Sequence, residues 1–338
     1  MRVDVSGFTE AELVEAIRRI LSGGGPGVVL GPGDDAALVE RGPNLMALTV
    51  DMLVEDVHFV RAAVSPRDLG YKALVVNVSD VAAMGGSPRY AVVALAIPSE
   101  IEGGWVVELY GGLREAADEY AVSLVGGDTS RADCIVVSVT VTGEVPSGGA
   151  VSRSGAEPGD RIVVTGELGA AAGGLRLAAA DPHEVGAVLA ADWAQDLLQA
   201  HLRPVARVGE GQALARVGAT SMIDLSDGMA IDLRRLCKAS GVGAAVSLAA
   251  VPVAASLDEL KGILPIDPLD LALAGGEDYE LLATVPPAVV DRAAAALLER
   301  FGTQLTDIGA VTVGDAVVTI EPDGTEVALA GGWDHFGT

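Results

Sequence analysis

Residues 146–160 read PSGGAVSRSGAEPGD, a glycine-, serine- and proline-rich run that breaks both helical and strand periodicity. Strand-like and helix-like stretches alternate on either side of it, so the 338-residue chain divides into two α/β units. The division falls into an N-terminal domain over 1–148 and a C-terminal domain over 149–338. In the first, Thr9-x-x-Glu12 forms a capping box that opens a helix to about Leu21. Strands are expected near 28–30, 36–40 and 45–51. Ser65-Pro66 starts a helix, with Ser as N-cap and Pro in the first turn, which Gly85-Gly86 stops near Met84. RYAVVALAIP reads as a strand, 103–121 as a helix, and CIVVSVTVTGEV as a long strand ended by Pro146. Beyond the boundary come the strand RIVVTG, helices between about 170 and 216, the strand TSMID and the helix MAIDLRRLCKAS. YELLATV, a helix over 288–300 and a hairpin turning at Asp323-Gly324 complete the pattern.

Residues 31–36, GPGDDA, follow the apolar run Val28-Val29-Leu30 and match the spacing of a dinucleotide-binding loop. Such a loop needs a helix next, whose N-terminal amides face the pyrophosphate. ALVERGPNLMALTVD follows instead and reads as two strands joined at Gly42-Pro43. The chain has no G-x-x-x-x-G-K-[ST] either, which excludes a P-loop. The remaining alternatives are a glycine-rich turn with solvated aspartates, or a hard cation held by Asp34 and Asp35 that in turn holds phosphate.

Other aspartates add to that second reading. Counted from Leu69 at 100° per residue, Ala73, Val76 and Ala83 fall within about 40° of one direction, and Asp80 lies inside the same stripe. A carboxylate on a core-facing stripe needs a cation or several donors. IDLSDG sets Asp224 and Asp227 three apart at a strand-to-helix junction, where α/β folds place ligands and where Ser226 could meet phosphate or cap the helix. VGGDTSR, just after a short strand, supplies Asp128 and Arg131; LTVD ends another strand on Asp51.

The formal charge of −25, from 47 acidic and 22 basic side chains, disfavours nucleic acid and anionic membrane surfaces as partners. No stretch approaches an uninterrupted apolar span, and no signal-peptide core precedes residue 21. Two cysteines far apart, Cys134 and Cys237, form no metal-ligand spacing and point to a reducing, cytoplasmic setting.

In order along the chain, GPGDDAAL, LTVDMLVEDVHF, DLGYKALVVNVSDVAAMGG, LVGGDTSR, VSRSGAEPGDRIVVTG, IDLSDGMAIDL, AGGEDYELLATVP and GGWDHF resemble the thiamine-monophosphate kinase family. That family lies within the superfamily of aminoimidazole ribonucleotide synthetase. The resemblance implies a two-domain α/β fold with a mixed N-terminal sheet used in homodimerisation. It also implies transfer of the γ-phosphoryl group of ATP to thiamine monophosphate, assisted by several Mg²⁺ ions, and leaves a monovalent cation open. By motif match the magnesium ligands or their neighbours are Asp34, Thr49, Val50, Asp51, Asp80, Asp128, Asp224 and Asp227. Tyr110, Gly127, Asp128, Arg153 and Ser226 are implied at ATP; His58, Glu277 and Trp333 at thiamine phosphate. The chain departs from the pattern at Val50, where a second hydroxyl residue is common and only the carbonyl could reach a metal. Asp56 likewise stands where glycine is common.

A phosphate monoester acceptor is already anionic at neutral pH, so no general base is called for. The obstacle is the repulsion of two polyanions, which a carboxylate cluster loaded with cations would relieve. On the residues alone, Arg153 could be a linker charge, His58 a structural histidine and Trp333 a core plug, while Glu277-Asp278 could cap a helix or touch ligand. The synthetase itself is disfavoured by GGEDYEL and GGWDHF. The superfamily members that depend on a reactive cysteine are disfavoured by the absence of one near either end. A calcium sensor is disfavoured because no EF-hand loop occurs. Phosphate release without acceptor would mark a phosphatase instead.

Overall fold

The computed structural model describes residues 10–21, 25–329 and 331. The first half comprises α1 (Glu10–Ile20), β1 (Val28–Leu30), β2 (Ala37–Arg41), β3 (Asn44–Val54), α2 (Pro66–Ala83), β4 (Ser87–Ile97), α3 (Gly103–Glu119), β5 (Ser123–Arg131) and β6 (Val136–Pro146). Its six strands form one sheet in the order β1-β2-β3-β6-β4-β5, antiparallel except where β4 meets β5. The second half comprises β7 (Arg161–Thr165), α4 (Ala170–Ala179), α5 (Pro182–Val185), α6 (Asp192–Leu202), α7 (Val208–Val217), β8 (Ser221–Asp224), α8 (Met229–Ser240), β9 (Gly243–Ser247), α9 (Ser256–Lys261), α10 (Pro268–Ala274), β10 (Leu281–Val285), α11 (Val290–Phe301), β11 (Leu305–Thr312), β12 (Val317–Ile320) and β13 (Glu326–Ala328). These strands form a seven-stranded sheet, β13-β12-β9-β11-β7-β10-β8, with β9 and β12 its parallel pair. Two mixed sheets with packed helices give the α/β class expected. The hairpin at Asp323-Gly324 joins β12 to β13, with the Gly324 N–H donating to the Glu321 carbonyl at 2.9 Å.

The helix after Ser65 starts as its cap dictates: the Ser65 hydroxyl accepts the Asp68 N–H at 3.0 Å, and Pro66 occupies the first turn. A single core-facing stripe does not describe it, however. Between residues 69 and 83 every residue of α2 is buried except Asp80. The helix packs against α3 and the first sheet, and on its other side meets α7, β8 and α6 of the second half. The one partly open position is the carboxylate.

Backbones approach closely where α2 crosses α3. A Cβ on Gly70 would lie 1.9 Å from the Leu109 carbonyl oxygen, and one on Gly112 would lie 1.7 Å from that of Arg67. Gly112→Ala is therefore expected to lower stability by about 1–3 kcal/mol through forced separation of the helices. Its neighbour Gly111 would place a Cβ 3.4 Å from the flexible Arg67 guanidinium, so Gly111→Ala should gain up to about 1 kcal/mol of helix propensity. Denaturant midpoints of the two variants check the opposite signs.

Two expectations need correction. β3 does not end at Asp51 but runs on to Val54, because β6 pairs with it through Val136. VGGDTSR does not follow a short strand. Its residues lie inside β5, held extended by parallel pairing with β4 through Arg131 despite the two glycines. β9, α9, α10 and β11 are further elements that short alanine-rich or mixed runs did not announce. Thr9 of the capping box lies outside the described residues.

Candidate active site

Four segments converge between the two sheets. The loop 31–36, followed by strand β2 rather than a helix, brings Asp34 and Asp35. β3 brings Thr49 and Asp51, the end of α2 brings Asn77, Ser79 and Asp80, and β8 ends on Asp224 with Asp227 in the turn to α8. One carboxylate oxygen each of Asp35, Asp80 and Asp224 lies within 4.8 Å of the other two. The Asp35 side chain is wholly buried: Oδ1 accepts from Arg153 Nε at 3.1 Å, while Oδ2 has no hydrogen-bond partner. Thr49 Oγ1 donates to Asp80 Oδ2, and Ser79 Oγ donates to Asp224 Oδ2 at 2.5 Å. Asp34 accepts the N–H groups of Arg153 and Asp35, each at 3.0 Å. The Asp51 N–H donates to Asn77 Oδ1 at 2.9 Å. Beside them is a cleft of about 310 Å³, lined by Gly31, Pro32, Asp34, Asp35, Thr49 and Val50 among others.

The electrostatics follow from burial and crowding. Burial first, then Asp35, pushes the Asp34 carboxyl up to about 6. Burial first, then Asp227, pushes Asp51 up to about 6. Asp80 and Asp224 are raised well above the usual carboxylate range by burial and then by their acidic neighbours, Asp51 for the first and Asp35 for the second. Asp232, which accepts the Asp227 N–H at 3.0 Å, is pushed up to about 7 by burial and then Asp227, although Arg235 bridges the two carboxylates. Carboxylates so arranged either keep protons or share a cation. Hard, all-oxygen donors and an unpartnered buried Oδ2 fit a divalent cation of the magnesium type.

Arg153 joins this group, its guanidinium on Asp35 and its N–H on Asp34. Ser226 lies in the β8–α8 turn, and its carbonyl accepts the Glu277 N–H at 2.8 Å. Glu277 has a positive φ of 71°, is paired with Lys72 of α2 at 2.7 Å, and has Oε2 3.1 Å from Nδ1 of His201 on α6. His58 sits in the turn after β3, where its Nδ1 accepts the Val54 N–H at 3.1 Å. The Val50 side chain, 60% exposed, offers no ligand atom.

Other expected residues do not join the cluster within one chain. Asp51, Val139, Val93 and Gly127 form one row across β3, β6, β4 and β5, which sets Gly127 about 14 Å from Asp51. Asp128 is its neighbour on that edge strand. Tyr110 packs half-buried on α3 against the core of the first half. Trp333 lies outside the described residues.

Residue reading missed several participants. Asp35 is named with Asp34 as a cation ligand on the residues alone, and only the motif match leaves it out. Lys72, a lysine inside the apolar run GYKALVV, is the sequence signal for a buried charge there. His201 and Asn77 give none, since each acts through a partner distant in sequence, while Arg235, within eight residues of Asp227 and three of Asp232, reads as an ordinary helix charge.

The family model described as AIR synthase related protein, N-terminal domain, matches residues 33–145, and its C-terminal counterpart matches 157–321. The chain is 40% identical to the thiamine-monophosphate kinase of Escherichia coli over 92% of its length and 93% of that protein. It is 40% identical to that of Bacillus subtilis over 76% of this chain and 78% of the relative. Among solved structures, AaThiL complexed with AMPPCP and TMP superposes with a TM-score of 0.83 at 33% identity, covering 99% of both chains. A hydrogenase maturation protein HypE in complex with ATP, 23% identical with a TM-score of 0.68 over 93% of this chain and 94% of that one, shares the fold. Both halves matched in order, and identity at this level over nine-tenths of the chain, place this protein in the thiamine-monophosphate kinase family of AIR synthase related proteins.

Proposed function

We propose that this protein transfers the γ-phosphoryl group of ATP to thiamine monophosphate, giving thiamine diphosphate, by direct in-line attack with no phosphoenzyme. The observation that carries the reading is the meeting of Asp35, Asp80 and Asp224, from a loop, a helix and a strand of both halves, around one unpartnered carboxylate oxygen. Asp35, Asp80 and Asp224 would hold Mg²⁺, with Asp34, Thr49, Asp51 and Asp227 beside them for further ions. Bound there, such ions would neutralise phosphate charge and polarise the transferred group. Arg153 binds phosphate with the guanidinium it now shares with Asp35, and Ser226 orients the nucleotide phosphates from the β8–α8 turn. His58 and Glu277 bind the acceptor, with Trp333 as the third contact. The acceptor phosphate is an anion and attacks without loss of a proton, so no side chain serves as base.

The outer face of the first sheet supports a homodimer. Val50, Met52, Tyr90 and Val92 are exposed there in neighbouring rows, and strand alternation puts Asp128 on that same face. Asp128 with Gly127 and Tyr110 then serves the site of the opposite subunit rather than its own. Among the described residues no helix is long and apolar enough to cross a membrane. Together with an ATP-dependent reaction this favours the cytoplasm. Incubation with ATP, Mg²⁺ and thiamine monophosphate, followed by chromatography, should give one thiamine diphosphate per ATP consumed. ATP loss without that product would overturn the acceptor assignment.

A further inference from the structure

Glu277 is held from every side. Its N–H donates to the Ser226 carbonyl at 2.8 Å. Next in sequence, Asp278 Oδ2 accepts the Gly169 N–H at 2.7 Å at the start of α4. Glu280 pairs with Arg207 at 2.5 Å and accepts from Thr165 Oγ1 at 2.5 Å. These anchors keep Glu277 and Tyr279 at φ values of 71° and 51°, which side chains other than glycine rarely adopt. Glu277 Oε1 lies 2.7 Å from Lys72 Nζ, and Oε2 lies 3.1 Å from His201 Nδ1. Lys72 also donates to the His201 carbonyl at 3.0 Å. The Lys72 side chain is 7% exposed, whereas that of Glu277 keeps 26%.

A lysine buried inside a helix that packs on all sides is poor value for stability, since apolar replacement of a buried ion pair is often neutral or stabilising. It does keep the facing carboxylate charged. Lys72 and Ser79 are seven residues apart, within about 20° of each other around α2 and about 10 Å along it. Ser79 is bonded to Asp224 of the cation cluster, so a single helix face sets both Asp224 and Glu277.

We propose that Lys72 is a positioning residue for the acceptor: it fixes the ionised Glu277 carboxylate to receive the amino group of the aminopyrimidine ring of thiamine monophosphate. The inference rests on the kinase reading above. A carboxylate can only accept hydrogen bonds. In ionised thiamine monophosphate the thiazolium has no N–H and the phosphate no proton, which leaves the exocyclic amino group as the donor. Glu277 without Lys72 would swing or take a proton, and that acceptor would be lost.

Steady-state kinetics of Lys72→Met, Lys72→Arg, Glu277→Gln and the double variant Lys72→Met/Glu277→Gln test this, with Tm measured alongside. Lys72→Met is expected to raise the KM for thiamine monophosphate about 10- to 100-fold. The KM for ATP should stay within about two-fold, and Lys72→Arg should recover most of the loss. The double variant should be no worse than the worse single variant, because both act through one carboxylate. An unchanged acceptor KM, an equal rise in both KM values, or additive losses in the double variant would each overturn the proposal. A wild-type protein that makes no thiamine diphosphate would instead overturn the kinase reading, and this inference with it.

Discussion

Asparagine in place of Asp224 is expected to give a protein that melts higher in metal-free buffer yet forms thiamine diphosphate about 10²–10³-fold more slowly. Both halves of that expectation come from one place. Asp224 is buried beside Asp35 and Asp80, and its carboxyl is raised well above the usual range by burial and then by Asp35. Neutralising it removes repulsion while the amide oxygen can still accept from Ser79 Oγ. Each unit of pKa elevation relieved corresponds to about 1.4 kcal/mol, or about 2 °C in a chain of this length that melts as one unit. The same change deletes an anionic ligand where cations would gather phosphates. Calorimetry in EDTA and a product assay in Mg²⁺ read the two effects separately. A lower melting temperature would show that the Ser79 bond to a charged carboxylate outweighs the crowding.

Stabilisation by Mg²⁺ should grow with pH. In the metal-free protein burial and crowding push Asp34 and Asp51 up to about 6, and raise Asp80 and Asp224 well above the usual carboxylate range. A folded state that holds protons more tightly than the unfolded chain loses stability as pH rises from about 4 through those elevated values. Metal-free protein should therefore melt lower at pH 8 than at pH 5.5. Cation binding must displace these protons, so its apparent affinity rises over the same interval. At 100 times its dissociation constant a single bound ion adds about 2.7 kcal/mol. The Mg²⁺-induced rise in Tm at pH 8 should exceed that at pH 5.5 by several degrees, and a pH-independent rise would place the ions away from these carboxylates.

Signals carried within a few residues were legible. Ser65-Pro66 and Gly85-Gly86 bound α2, apolar runs marked β3, β4 and β6, and the strand pattern after GPGDDA excluded a dinucleotide loop. The aspartates that stood in apolar or glycine-rich contexts, Asp80 and Asp224, do meet. What the residues could not show was which partners lie across the junction: Arg153 on Asp35, Ser79 on Asp224, Lys72 on Glu277. Those pairs are separated by 118, 145 and 205 positions. Helical periodicity also misjudged α2, because a stripe argument assumes one buried face and this helix has elements of both sheets' layers around it. The glycines of β5 read as lying past the end of a short strand, whereas pairing with β4 gives each a ladder partner.

That shared helix has a consequence for how the molecule comes apart. α2 is threaded through the first half yet roofed by α7, β8 and α6 of the second, so each half, beside its own core, buries surface that only the other covers. Heating should therefore melt the protein in one calorimetric transition, with the van't Hoff and measured enthalpies in agreement, rather than in two. Cutting the chain between 146 and 160 should leave fragments that fold only when mixed. The joint between the halves is then a cooperative seam instead of a hinge.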